Sequence, residues 1–263
     1  MNQIDNTNSC QPDYESSPAV NKSTLWEMRK SPLHYWHLIH DTPKEDTAAM
    51  KFGRAVHTRL LEPVEFSARY AVAPECDRRT KEGKAIWAEL MESGKEVISK
   101  ADMDMILSME ERFEFARKMF FDSETQTEVP LYWTDEETGV ECKGRLDAIT
   151  SDFVIDYKTT MDASTKAFTR EALRYGYDLQ AAMYMEAARA NGYNPKGFVF
   201  IAQEKTAPNL INIIHAGEAF LDRGRWIMRD LLAKYKKCVE LDVWPGYGVN
   251  ELILPEWEVM GDE

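Results

Sequence analysis

Residues 144–160 read Gly-Arg-Leu-Asp-Ala-Ile-Thr-Ser-Asp-Phe-Val-Ile-Asp-Tyr-Lys-Thr-Thr, and this stretch decides the fold. Two apolar runs, 146–149 and 153–155, flank a polar Thr-Ser-Asp corner, the pattern of a β-hairpin with a short turn. Asp147 falls on the first strand and Asp156 on the second. Lys158 follows Asp156 by two positions, and residues i and i+2 of a strand share a face, so Asp156 and Lys158 project together. Two carboxylates and an ammonium at one sheet edge are costly to assemble unless a cation sits between the carboxylates. Mg²⁺ suits that place, being a hard ion held by one or two carboxylates, water and substrate phosphate. The pattern points to metal-assisted phosphodiester cleavage. Asp-x-Lys is also an ordinary solvated strand end with a surface ion pair, so the reading depends on what the rest of the chain supplies.

The chain has 263 residues, enough for one large domain or a domain with a helical cap. Its apolar content, 44%, allows a substantial core. No apolar run is long enough to span a membrane, and Met-Asn-Gln-Ile-Asp has neither the basic nor the apolar region of a signal peptide. Cys10, Cys76, Cys142 and Cys238 are scattered without a Cys-x-x-Cys pair. This argues against structural zinc and fits reduced thiols in a cytoplasmic protein. The formal charge of −13 argues at first against nucleic acid. Eight acidic residues lie in segments without Lys or Arg: Asp5, Asp13 and Glu15 within 1–21, and Glu251, Glu256, Glu258, Asp262 and Glu263 within 250–263. Setting them aside leaves −5, which is compatible with a basic groove.

Residues 1–21 read as a disordered lead and 250–263 as an acidic tail, with a single domain over 22–249. Ser23 is the expected N-cap of a first helix carrying Leu25, Trp26, Met28 and Arg29. Ser31-Pro32 breaks it, and Pro32 opens a second helix to Ile39. His34, His37 and His40 share roughly one face of that helix, better explained by packing or exposure than by metal. Residues 47–61 repeat apolar positions at helical spacing. Gly53 and His57 share a face there: Gly53 invites close approach of another backbone, and His57 is either a packed histidine or a metal or phosphate ligand. Residues 74–84 lack apolar periodicity and read as a mobile loop before a helix over 85–91. Arg78, Arg79, Lys81 and Lys84 in that loop either contact phosphates or are simply solvated. A Met- and Phe-rich helix covers 101–121. Strands are expected at 127–133, where Glu128 can add a third carboxylate and Pro130 marks an edge or bulge, and at 140–149. One long helix is expected over 164–191, with Gln180 and Tyr184 on one face and Gly192 just past its end. Strands over 198–203 and 210–215, joined at Pro208-Asn209, precede a final helix over 218–241.

This order, with Gly53…His57, Gly144-Arg145-Leu146-Asp147, Asp156-Tyr157-Lys158 and Gln180…Tyr184 in sequence, resembles the RecB-like branch of the PD-(D/E)XK nucleases. Ser23-Thr24-Leu25, the run from Lys30 to Tyr35, the segment from His57 to Pro63 and the loop from Arg78 to Lys84 are similar to the RecE (exonuclease VIII) family and its phage-type relatives. The resemblance spans about residues 22–245. It implies an α/β fold, with a central mixed sheet flanked by helices and an added N-terminal helical region. It also implies a Mg²⁺-dependent exonuclease on linear double-stranded DNA, with Mn²⁺ able to substitute, degrading the 5′-ended strand to leave 3′ single strands. The family implies a toroidal tetramer and a single-strand annealing partner of the RecT type. The clustered cysteines of its iron–sulfur members are absent here, so no cluster is expected.

As implied roles, Asp147, Asp156 and the Tyr157 carbonyl bind metal, and His57 and Glu128 complete or tune the coordination. Lys158 orients or deprotonates water, and Gln180 and Tyr184 position DNA or Lys158. Arg29 is a candidate for a terminal phosphate that no motif fixes. An endonuclease, a nuclease module of a helicase complex and a non-catalytic DNA-end-binding protein are the alternatives on the same core. If the acidic ends repel DNA, removing 1–21 and 250–263 is expected to raise affinity for duplex of arbitrary sequence; an unchanged affinity rejects that role.

Overall fold

The protein is described by a computed structural model covering residues 14–40 and 46–253. Its N-terminal layer is helical: α1 (Lys22–Glu27), α2 (Pro32–His40), α3 (Ala48–Leu61) and α4 (Pro63–Arg69). A small parallel pair follows, β1 (Tyr70–Val72) with β2 (Glu96–Ile98), spanning α5 (Lys81–Glu92). After α6 (Lys100–Phe120) come β3 (Gln126–Thr134), β4 (Glu141–Ile149) and β5 (Phe153–Thr160). Then α7 (Thr165–Tyr175), α8 (Tyr177–Ala190), β6 (Gly197–Glu204), β7 (Ile211–His215) and α9 (Glu218–Leu241) complete the chain.

The main sheet has the order β3-β4-β5-β6-β7. Its first three strands form an antiparallel meander, β5 and β6 are parallel, and β7 returns antiparallel. The crossover from β5 to β6 carries α7 and α8, as a parallel connection requires. Strand alternation separates two cores. Val154, Phe198 and Phe200 face one layer with Leu25, Leu179, Met183 and Leu231. Ile155, Tyr157, Val199 and Ile201 face the other with Val56, Leu60, Ile106 and Phe113. The site residues of β5 are thereby sorted: Asp156 and Lys158 go to the α8 side, and the Tyr157 ring goes to the α3 and α6 side.

Several expectations change. The first helix is capped by Asn21, not Ser23, because the Asn21 carboxamide accepts from the Thr24 N–H at 2.9 Å. α5 starts at Lys81 rather than at residue 85, since the Thr80 hydroxyl accepts from the Gly83 N–H at 2.9 Å; Lys81 and Lys84 are therefore helical. The long helix over 164–191 is two helices. Gly176 takes φ 69°, a conformation that favours glycine, and the Trp26 ring occupies the place of a Cβ there. Gly53 is not a tight backbone contact: a Cβ would lie 3.9 Å from the Thr159 hydroxyl. The lead expected over 1–21 is packed from Tyr14 onward. Val20 is buried and exchanges backbone hydrogen bonds with Glu141 and Lys143. The remaining acidic end residues, Asp5, Asp13, Glu256, Glu258, Asp262 and Glu263, lie outside the described residues. A truncation that tests the ends without disturbing this packing therefore stops at residue 13. Among the described residues, no helix is long and apolar enough to cross a membrane.

α9 packs closely on α8. A Cβ at Gly224 would fall 2.0 Å from the Asp178 carbonyl oxygen, so the two backbones touch where glycine stands. Gly224→Ala is expected to push the helices apart and lower stability by about 1–3 kcal/mol, seen as a lower urea midpoint; an unchanged midpoint contradicts the contact.

Candidate active site

The site forms where β4 and β5 part. These strands pair through Ala148–Ile155 and Ile149–Val154. At Asp147 the side chain takes over from the backbone, and Oδ2 accepts the Tyr157 N–H at 2.7 Å. On the other side, β3 and β4 pair Thr127 with Ala148 and Val129 with Leu146, leaving Glu128 opposite Asp147. Glu128 has φ 50°, a left-handed conformation costing a non-glycine residue on the order of 1–2 kcal/mol. Strain of this kind gathers at functional positions.

His57 arrives from α3. Its Nε2 lies 2.9 Å from the Tyr157 carbonyl oxygen, an acceptor only, so Nε2 carries a proton. Nδ1 then points to Glu128 Oε1 at 3.9 Å and Asp147 Oδ2 at 3.8 Å. One ligand atom from each of His57, Glu128 and Asp147 can lie within 4.8 Å of the others. Burial would lower the His57 pKa, but the negative charges of Asp147 and Glu128 outweigh it and hold the ring at about 8. The Tyr157 carbonyl, expected from the family resemblance as a metal ligand, is instead engaged by His57.

Asp156 stands apart from these three. It is wholly buried, and Oδ1 accepts from Gln180 Nε2 at 2.5 Å. Lys158 Nζ pairs with Oδ2 at 2.6 Å. Burial pushes the Asp156 carboxyl up to about 6 against the pull of Lys158. Burial also works against the Lys158 charge, but Asp156 and Asp147 prevail and raise its pKa. Lys158 is thus an ammonium here, suited to orienting an anion or water rather than to accepting a proton. Tyr184 stands one helical turn beyond Gln180 on α8. Its ring lies 3.0 Å from where a Cβ on Gly144 would sit, which explains the glycine three residues before Asp147.

The cleft over His57, Glu128 and Asp147 has a volume of about 480 Å³ and a rim of Arg54, Arg69 and Arg145. Arg145 pairs with Glu15 at 3.0 Å, and Arg54 with Asp46 at 2.5 Å. The expected DNA contacts lie elsewhere. Arg29 stacks on Trp26 at 4.3 Å and lines a separate groove with Lys234, Lys237 and Tyr247. Arg78 lies 3.4 Å over the Trp87 ring; Arg79, Lys81 and Lys84 are exposed beside it. Sequence reading missed Arg54 and Arg145, although both stand inside the quoted motifs. It also missed Lys22, which no motif marks: its Nζ donates to the Tyr175 carbonyl at 2.7 Å and lies 5.6 Å from the Tyr177 ring centroid.

The donor set fits a divalent cation. Two carboxylates and an imidazole lone pair converge, and a third carboxylate, Asp156, stands close by on β5. Carboxylate oxygen suits Mg²⁺ and Mn²⁺. The Tyr157 carbonyl on His57 is the kind of outer contact that fixes a ligating ring and its tautomer.

Comparison with known proteins bears on the fold and the family. No curated protein matches the chain. Among solved structures, the chain named "Putative exonuclease" from Eubacterium rectale superposes with a TM-score of 0.61 at 15% identity. The alignment covers 96% of this chain and 99% of that one, which shows a shared fold. Residues 22–253 match the family described as a PDDEXK-like domain of unknown function (DUF3799). With nearly all of its described residues inside that match, the chain belongs to this PDDEXK-like family.

Proposed function

We propose that the protein is a metal-dependent deoxyribonuclease that digests linear duplex DNA from its ends. The observation that carries this reading is the convergence of His57, Glu128 and Asp147 beside the buried Asp156–Lys158–Gln180 group. His57, Glu128 and Asp147 would hold Mg²⁺ or Mn²⁺, with Asp156 at hand. A bound ion there supplies Lewis acidity and a water of lowered pKa. Gln180 fixes the Asp156 carboxylate. Lys158, as an ammonium, steers a phosphate oxygen or the attacking water and stabilises charge developing on the phosphate. The arginine rim of the cleft offers phosphate contacts without reading sequence.

The resemblance of the four motifs to RecE-type nucleases supports degradation of the 5′-ended strand, leaving a 3′ single strand. The same resemblance supports a toroidal homotetramer working with a RecT-type annealing protein, and the scattered cysteines favour the cytoplasm. A ring with an inner basic passage would reconcile end-dependent digestion with a net charge of −13.

The direct test is digestion of blunt linear duplex labelled separately at its 5′ and 3′ ends, with Mg²⁺ or EDTA, beside a closed circle. Stepwise loss of the 5′-ended strand with the circle spared is the expected result. A cut circle replaces the end-dependent reading with an endonuclease, and no cleavage of either form rejects the nuclease. Asp147→Asn and Lys158→Ala are each expected to lower cleavage at least on the order of a hundredfold while leaving the melting temperature within a few degrees; full activity in either overturns its role.

The raised pKa of His57 sets a sign. In the metal-free protein the ring holds an extra proton below about 8, and a ligand must give it up. Metal affinity is therefore expected to fall as pH drops from 8 to 6, with close to one proton released per Mn²⁺ at pH 7. Calorimetric titration in buffers of different ionisation enthalpy reads that release; His57→Ala should abolish it, and equal release in both proteins excludes His57 as the ligand.

A further inference from the structure

The strap ahead of α1, residues 14–20, reaches the rim of the metal cleft. β4 pairs with β5 through Ala148 and Ile149, and nearer its start the same edge of β4 is taken by the strap. The Val20 N–H donates to the Glu141 carbonyl at 2.9 Å, and the Lys143 N–H donates to the Val20 carbonyl at 2.8 Å. The buried Lys143 ammonium ties down the other end of the strap, donating to the Tyr14 and Ser17 carbonyls at 2.6 and 2.8 Å.

Two side chains at that end meet Arg145. Its guanidinium lies 4.3 Å from the Tyr14 ring centroid, and its Nη2 donates to Glu15 Oε1 at 3.0 Å. Arg145 stands two residues before Asp147 on β4 and lines the cleft over His57, Glu128 and Asp147. Positions i and i+2 share a strand face, so Arg145 stands on the metal-ligand side of β4. The Glu15 side chain is 74% exposed, and an exposed ion pair adds little to stability. Stability therefore does not explain why the strap brings a carboxylate to this arginine from 130 residues away. A carboxylate and a phosphate offer a guanidinium the same kind of charged acceptor. Glu15 thus stands where a phosphate oxygen could stand. The Lys143 anchor keeps it there at a high effective concentration. The Tyr14 ring attracts the guanidinium whichever anion it holds.

We propose that Glu15 is a tethered placeholder on Arg145: it holds the guanidinium in the free protein and yields it to a phosphate of an incoming nucleic acid strand. This rests on the nuclease reading and adds regulation to its site. A single anion in passing must compete with a carboxylate that never diffuses away. A strand already seated on the rest of the cleft brings its next phosphate to Arg145 under the same advantage of tethering. The exchange therefore favours a strand lying over the metal ligands and disfavours chance contact with the rim.

The test is equilibrium binding of the full chain to a short blunt duplex in Ca²⁺. It compares the parent, Glu15→Gln, Arg145→Gln and the double variant, with thermal melting of each. Glu15→Gln is expected to tighten binding about threefold, the scale of an exposed ion pair. Arg145→Gln is expected to weaken it on the order of tenfold. In the Arg145→Gln background the gain from Glu15→Gln should vanish, because no guanidinium is left to contest. Arg145→Lys supplies a second background, which keeps a charge and should keep part of the gain. An unchanged affinity in Glu15→Gln overturns the placeholder while leaving the nuclease reading intact. An equal gain with and without Arg145 marks Glu15 as a source of general repulsion and also overturns it. Weaker binding together with earlier melting in Glu15→Gln marks the pair as a brace for the strap, which overturns it too. A parent that neither binds nor cuts duplex overturns both readings.

Discussion

A single side chain standing in for backbone organises the site. Where β4 and β5 separate, the Tyr157 N–H would lose its ladder partner, and the Asp147 carboxylate supplies one at 2.7 Å. Buried backbone donors are seldom left unpaired, so the opening of the sheet and the placement of Asp147 are one event. The Tyr157 carbonyl, freed by the same separation, takes the His57 ring. One residue's backbone thereby aims an aspartate with its N–H and a histidine with its carbonyl. Glu128 enters from the opposite strand at a backbone angle that glycine would accept more easily. The cluster of His57, Glu128 and Asp147 is thus built on two strands and a helix laid across them.

A second layer locks the β5 residues that face α8. Asp156 is buried, and burial alone would favour its neutral form. Gln180 and the Lys158 ammonium, 2.6 Å from the second oxygen, hold it in place. Buried charge pairs stabilise little once desolvation is counted, so this pair is better explained by the site than by stability. The Tyr184 ring against Gly144 ties α8 to β4, so the Gln180 and Asp147 elements cannot shift independently.

Much of this was legible in the sequence because strands and helices impose fixed spacings. Period two put Asp156 and Lys158 on one face, and they meet at 2.6 Å. Period 3.6 put Gln180 and Tyr184 on one face of α8, the first bonded to Asp156 and the second against Gly144. The meander, the crossover and the last two strands follow from apolar runs between turn residues. Other features depend on side chains that only the folded chain brings near. Gly176 interrupts a helix because Trp26, 150 positions earlier in the chain, fills its Cβ space. Lys22 belongs to no motif, and only the return of Tyr175 and Tyr177 past α1 reveals its surroundings. The short β1–β2 pair was invisible for the opposite reason: three residues per strand are too few for a period to show.

The close contact at Gly224 bears on when the site comes into being. A ribosome releases the chain N-terminus first, so α9 emerges after α8. Until it does, α8 lacks the partner whose backbone it meets at Asp178 and Ala182. Gln180 rides on that same helix. A nascent chain that already carries His57, Glu128, Asp147 and Asp156 would still lack a firmly seated α8, so the arrangement around Asp156 is completed only when α9 docks.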